Sequence, residues 1–205
     1  MRAYFNEKHI KSAKNSDKVI FLDRDGVINR RMPPHRHILK WDDFVVLPSV
    51  YEALHICNEE GFPIIVVTNQ RCISLGTLSE EEFLHMCEKI VEDFRTNHVE
   101  IDGIYYCPHG NDDHCGCRKP RTGLLEQAEA DFSAMGIDID RSSSWLVGDE
   151  DYDIEAGKRF SLNTVLIDKL LSDIDELGLC ENKYMARDLL EAVKLIISNE
   201  GERTV

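Results

Sequence analysis

Residues 18–29 read KVIFLDRDGVIN, and residues 63–70 read PIIVVTNQ. Each is an apolar run rich in β-branched or aromatic residues that stops at a polar cluster. That is the pattern of a short strand buried on both faces. Residues 103–107, 144–148 and 164–167 repeat it. Between the runs, the apolar spacing changes to that of helices. Residues 49–60 follow Pro48 and stop at Gly61, the usual Pro-before, Gly-after asymmetry. Ser79 and Glu82 have capping-box spacing. The helix they open carries Phe83, Met86, Cys87, Ile90, Val91 and Phe94 on one face. Residues 122–135 form a helix stopped by Gly136, and residues 154–160 a shorter one. Strand alternating with helix predicts an α/β fold, a parallel sheet with helices on both faces. Ligands of such sheets bind beyond the carboxyl ends of the strands.

The size of the chain, 205 residues, suits one such domain with small appendages. Residues 1–17 read as an N-terminal extension, 18–168 as the α/β domain, and 169–205 as a helical tail whose clearest part is 186–198. Repeats and low-complexity tracts are absent from the sequence. The formal charge of −14 weighs against a nucleic-acid partner, since such proteins are usually basic. The longest apolar stretch, 62–67, is interrupted by Pro63 and is far short of a membrane span. Residues 1–18 show no secretory pattern. The expectation is a cytoplasmic protein without a membrane partner, a monomer or small homo-oligomer.

The strand ends carry the chemistry. Asp23-Arg24-Asp25-Gly26 follows the first strand, Thr68-Asn69-Gln70 the second, and Gly148-Asp149 the fourth, with Asp153 four residues on. On extended chain, Asp23 and Asp25 point the same way while Arg24 points elsewhere. Lys119 precedes the third helix. Each feature alone is an ordinary polar turn or helix cap. Together they bring carboxylates, a hydroxyl and an ammonium to one rim. Three carboxylates suit Mg²⁺, and a lysine with a hydroxyl suits a phosphoryl group. Residues 24–40 hold Arg24, Arg30, Arg31, Arg36 and Lys40 against Asp25 alone. A basic stretch in an acidic chain fits a small anionic substrate.

Three of seven cysteines fall within residues 107–117. In a chain without a secretory signal, metal accounts for such a cluster better than a disulfide. Cys107, His109, Cys115 and Cys117 supply four ligands for structural Zn²⁺; His114 is a rival to His109. Cys57, Cys72, Cys87 and Cys180 read as packing residues.

These motifs, in this order over residues 21–153, resemble those of the haloacid-dehalogenase superfamily of phosphatases. DRDGVIN together with a zinc loop running into Cys117-Arg118-Lys119-Pro120 resembles the heptose bisphosphate and histidinol phosphatase subfamily. The resemblance implies a Rossmann-like fold without a large cap domain. It implies that Asp23 is the nucleophile, Asp25 the general acid and base, and that Thr68 and Lys119 hold the phosphoryl oxygens. Mg²⁺ would be held by Asp23, the Asp25 carbonyl and Asp149, with Asp153 a supporting acid. It prefers His109 as the fourth zinc ligand. It places substrate near Arg31, Met32, Pro33 and Pro34, near Asn69, Gln70 and Arg71, and near Arg118. The implied substrate is a small phosphorylated metabolite, d-glycero-d-manno-heptose 1,7-bisphosphate cleaved at position 7, from the nucleotide-activated heptose branch of carbohydrate metabolism. Histidinol phosphate is the alternative. A DNA 3′-phosphatase is disfavoured by the charge, and a catalytically silent scaffold by the intact acidic and basic set. The short zinc loop, Arg71-Cys72 and Glu150 depart from the heptose pattern.

Overall fold

The computed structural model describes residues 1–33, 36–168 and 184–203. Its strands are β1 (Arg2–Phe5), β2 (Ile20–Leu22), β3 (Ile64–Asn69), β4 (Gly103–Cys107), β5 (Trp145–Gly148), β6 (Asn163–Ile167) and β7 (Tyr184–Ala186). They form one sheet in the order β1-β4-β3-β2-β5-β6-β7. Every pairing is parallel except that of β1 with β4. The helices are α1 (Glu7–Ser12), α2 (Val50–Glu59), α3 (Arg71–Ser74), α4 (Glu80–Thr96), α5 (Gly123–Ala134), α6 (Asp151–Arg159) and α7 (Leu189–Arg203).

Strand alternation divides the core in two. Ile20, Leu22, Ile64, Val66, Trp145 and Val147 face one side, where α2, α4 and α7 pack. Phe21, Ile65, Val67, Tyr105 and Leu146 face the other, where α1 and α5 pack. α4 opens with the expected capping box: Ser79 Oγ accepts from the Glu82 amide at 3.1 Å, and Glu82 accepts from the Ser79 amide at 2.8 Å.

Both appendages join the main sheet. Residues 1–17 supply β1, an edge strand of the main sheet, and α1, whose Ile10 is fully buried in the core. Each element is too short to show a period, and only pairing with β4 makes β1 a strand. Residues 184–186 form β7 rather than helix, in register with Val165, Leu166 and Ile167 of β6. α7 then follows. Residues 169–183, including Cys180, lie outside the described residues, as does Pro34. α6 starts at Asp151, earlier than expected, so Tyr152 and Asp153 occupy its first turn.

Register sets the site. Leu22 pairs with Val66 on one side and Val147 on the other. β2 stops at Leu22 while β3 runs on to Asn69 and β5 to Gly148, so Asp23, just past β2, comes to the same rim as Thr68, near the end of β3, and Asp149, just past β5. The Asp23 amide still bonds the Val147 carbonyl at 2.9 Å.

Candidate active site and zinc loop

Asp23, Thr68 and Lys119 are 4%, 1% and 3% exposed. Charged groups are buried this deeply only when paired, and these are. Lys119 Nζ donates to Asp23 Oδ1 at 2.6 Å and to the Val67 carbonyl at 2.6 Å, and forms an ion pair with Asp153 Oδ1 at 2.7 Å. Carboxylate oxygens of Asp23, Asp149 and Asp153 lie within 4.8 Å of one another. Three carboxylates face the Lys119 ammonium, with Arg31 reaching Asp149 from the cleft, so carboxylates still outnumber cations by one. An all-oxygen donor set with that excess fits a hard divalent cation. Burial opposes the charge on Lys119, but Asp153 and Asp23 outweigh it and raise its pKa, so it stays an ammonium. Burial, with crowding by Asp23, pushes the Asp153 carboxyl up despite Lys119. A cation at the cluster would relieve that crowding.

Local geometry makes room for this packing. Gly26 has φ +108°, and a Cβ there would lie 1.9 Å from Asp149 Oδ2. A Cβ on Gly148 would lie 2.2 Å from that of Asp153. Asp153 Oδ2 also accepts from the Glu150 amide at 3.2 Å, tying the start of α6 to the site.

Asp25 lies past the end of β2 at Leu22 and lines the same cleft as Asp23. Its carboxylate accepts from Arg24 Nη2 at 2.9 and 2.7 Å, from Asn29 Nδ2 at 2.9 Å and from Gln70 Nε2 at 3.0 Å. Arg24 thus turns toward Asp25 rather than elsewhere. Burial would raise the Asp25 pKa, but the Arg24 charge and these donors lower it.

A cleft of about 240 Å³ opens above Asp23, Asp25 and Thr68. Arg31, Met32, Pro33, Asn69, Gln70, Arg71 and Arg118, all expected near substrate, line it. Two of them have internal tasks. Asn69 clamps the Lys119 backbone, accepting from its amide at 3.0 Å and donating to its carbonyl at 3.2 Å. Gln70 Nε2 links Asp25 to Thr68 Oγ1, the latter at 2.8 Å. Arg31 bonds Asp149 Oδ2 at 3.2 Å and pairs with Glu150. His37, Ile38 and Tyr152, which carry no motif in the sequence, also line the cleft. Starting α6 at Asp151 would have found Tyr152, one residue from Asp153. The supporting roles of Arg24 and Asn29 left no sequence signal, since both are set by the turn after β2.

The zinc loop assembles as four groups facing one point. Cys107 Sγ lies 3.6 Å from Cys115 Sγ and 3.3 Å from Cys117 Sγ. His109 Nδ1 lies 3.6 Å from Cys107 Sγ and 3.3 Å from Cys117 Sγ. Disulfide sulfurs would be about 2.05 Å apart. Ligands of tetrahedral zinc would be separated by roughly 3.5–3.8 Å, given Zn–S near 2.3 Å. The residues fit zinc, and His109 rather than His114 belongs to the set. Arg118 Nη1 donates to the His109 carbonyl at 3.3 Å, so the loop is tied to the residue before Lys119. Cys57, Cys72 and Cys87 are buried in the core.

Comparison with known proteins places these features in context. Residues 18–174 match the model of the polynucleotide kinase 3 phosphatase family. The d-glycero-d-manno-heptose-1,7-bisphosphate 7-phosphatase of Chlorobaculum tepidum is 35% identical over 190 residues, covering 87% of this chain and 93% of that protein. The d-glycero-β-d-manno-heptose-1,7-bisphosphate 7-phosphatase of Pasteurella multocida is 34% identical over 185 residues, covering 87% and 96%. The crystal structure of d,d-heptose 1,7-bisphosphate phosphatase from B. bronchiseptica, complexed with magnesium and phosphate, superposes with a TM-score of 0.76 at 24% identity, covering 89% of this chain and 99% of that one. At that identity it speaks to the fold.

Proposed function

The chain belongs to the polynucleotide kinase 3 phosphatase family of haloacid-dehalogenase-type phosphatases, and we propose that it is a Mg²⁺-dependent phosphatase that converts d-glycero-d-manno-heptose 1,7-bisphosphate to the 1-phosphate. One observation carries the reading: Asp23, Asp149, Asp153 and Lys119 converge beneath a cleft with cationic walls. Relatives of this name match nearly their whole length. The family description names a polynucleotide, but a chain of net charge −14 is poorly suited to a phosphodiester backbone.

Asp23 attacks phosphorus through a carboxylate oxygen and takes the phosphoryl group as an acyl phosphate, while the sugar alkoxide leaves. Asp25 gives that alkoxide a proton, then takes one from the water that attacks the acyl phosphate and regenerates Asp23. Such proton transfer contributes about 10²–10⁴-fold. Lys119 and Thr68 hold the phosphoryl oxygens as charge shifts among them. Asp23 and Asp149 carboxylates and the Asp25 carbonyl would hold Mg²⁺, which when bound offsets the repulsion between carboxylate and phosphate. Asp153 keeps Lys119 charged and in place. Arg31, Arg71 and Arg118 offer positive charge to the second phosphate. Zn²⁺ at Cys107, His109, Cys115 and Cys117 has a structural role, fixing the approach of Lys119. The protein acts on a small cytoplasmic metabolite, as a monomer or small homo-oligomer.

Phosphate release from heptose 1,7-bisphosphate and from histidinol phosphate, measured side by side with and without Mg²⁺, tests this. Metal-dependent preference for the heptose is expected. Preference for histidinol phosphate would reassign the substrate, and release without divalent cation would overturn the mechanism.

A further inference from the structure

Arg24 has no part in the steps above, yet its side chain is built into the site. The residue is 3% exposed. Nη2 donates to both oxygens of Asp25, while Nε and Nη1 are buried without a hydrogen-bond partner. The guanidinium carbon lies 5.8 Å from the centroid of the Phe83 ring. Burying an arginine that leaves donors unused costs stability, and an apolar side chain of similar length often serves a core as well. Stability therefore does not explain this residue.

The arrangement around Asp25 does. Arg24 reaches both carboxylate oxygens, Asn29 reaches Oδ1, and Gln70 reaches Oδ2. Asn29 is fully buried and Gln70 is 4% exposed, so neither drifts. The carboxylate is gripped through both oxygens from several directions, at the floor of the cleft. The geometry points to Arg24 as a positioning residue of the hydrolysis, one that fixes the orientation from which Asp25 serves the leaving oxygen and the attacking water. The inference rests on the proposed acid–base role of Asp25. Proton transfer requires the carboxylate within hydrogen-bond reach of its partner, and small misplacements in an active site lower rates by about 10²-fold.

A double-mutant cycle on the Mg²⁺-loaded protein tests it, with p-nitrophenyl phosphate as substrate. The proteins are wild type, Arg24→Met, Asp25→Asn and the double variant. Arg24→Met is expected to lower kcat by about 10–100-fold, with KM changed less than about twofold and the melting temperature retained. In the Asp25→Asn background the same substitution is expected to change kcat by less than about twofold. Equal loss in both backgrounds would make Arg24 merely structural and overturn the inference, as would wild-type kcat in Arg24→Met. Wild-type turnover in Asp25→Asn would instead remove the acid–base reading on which the inference stands. Should Arg24→Met not fold, Arg24→Gln completes the same cycle, since its amide is compatible with a polar pocket but has no charge and falls short of both oxygens.

Discussion

The two metal-type clusters of this molecule are built on opposite rules. The thiolate–imidazole set comes from one loop, residues 107–117, and its ligands are soft. The carboxylate–lysine set comes from residues 23, 119, 149 and 153, and its ligands are hard. The first is made by local spacing and, on the proposed function, serves shape. The second exists only after the sheet has formed and, on the same proposal, serves chemistry, which would account for buried charge that a purely structural site would avoid. Perturbing the two should therefore give different kinds of failure: loss of fold at the first, loss of turnover with fold intact at the second.

The largest contrast is expected from Asp23→Asn. It removes the proposed nucleophile and one of the crowded carboxylates, so turnover should fall below about one part in 10⁴, beyond the range of general acid–base effects alone, with the circular dichroism unchanged. Removal of zinc, by a strong chelator or by Cys115→Ser, should do the reverse. Structural zinc contributes about 10–16 kcal/mol to small peptides. Its loss should lower the melting temperature and disorder the loop in amide exchange, and only indirectly slow turnover through Lys119. Cys115→Ser with unchanged melting temperature and zinc content would erase the distinction.

A smaller effect sharpens the hard-ligand side. If Mg²⁺ binds the folded state as proposed, a hundredfold excess over Kd should add about 2–3 kcal/mol and raise the melting temperature by roughly 5–10 °C. Asp149→Asn should abolish that rise while leaving bound zinc untouched. A retained shift would place the cation elsewhere.

The smallest effect lies away from both clusters. His9 Nδ1 lies 2.6 Å from Asp102 Oδ1, and the hydrogen bond to Asp102 raises the imidazole pKa above 6.5. Burial raises Asp102 too, but the ionised carboxylate is the form that accepts from both His9 and the Ile64 amide. A raised histidine stabilises the fold fully below pH 6.5, and that contribution fades as pH climbs through the raised value. His9→Gln should flatten this part of the melting-temperature profile by less than about 1 kcal/mol, since the imidazole is partly open to solvent. An unchanged profile would show that the pair does not anchor α1.

The same contrast explains what the sequence disclosed. The inner strands β2 to β6 were legible because burial on both faces leaves continuous apolar runs, and α4 because its capping box and apolar face coincide. The Cys107, His109, Cys115 and Cys117 cluster was legible because its spacing is local. Asp23, Thr68, Lys119 and Asp149 could be found from the rule that strand ends hold ligands, together with the family resemblance. β1 and β7 were hidden because edge strands this short depend on a partner for their identity. The grip on Asp25 was hidden because Arg24 lies past the end of β2, where alternation no longer dictates direction. Asn69 and Gln70 showed amides at the right place, but only the fold reveals that they hold Lys119, Asp25 and Thr68.

The central claim is that Asp23 accepts the phosphoryl group. Rapid acid quench of the Mg²⁺-loaded protein turning over its bisphosphate, followed by peptide mass spectrometry, tests it most directly. The account predicts a phosphoryl adduct on the peptide containing Asp23, more abundant in Asp25→Asn and absent in Asp23→Asn. An adduct on another residue, or full turnover by Asp23→Asn, would contradict it.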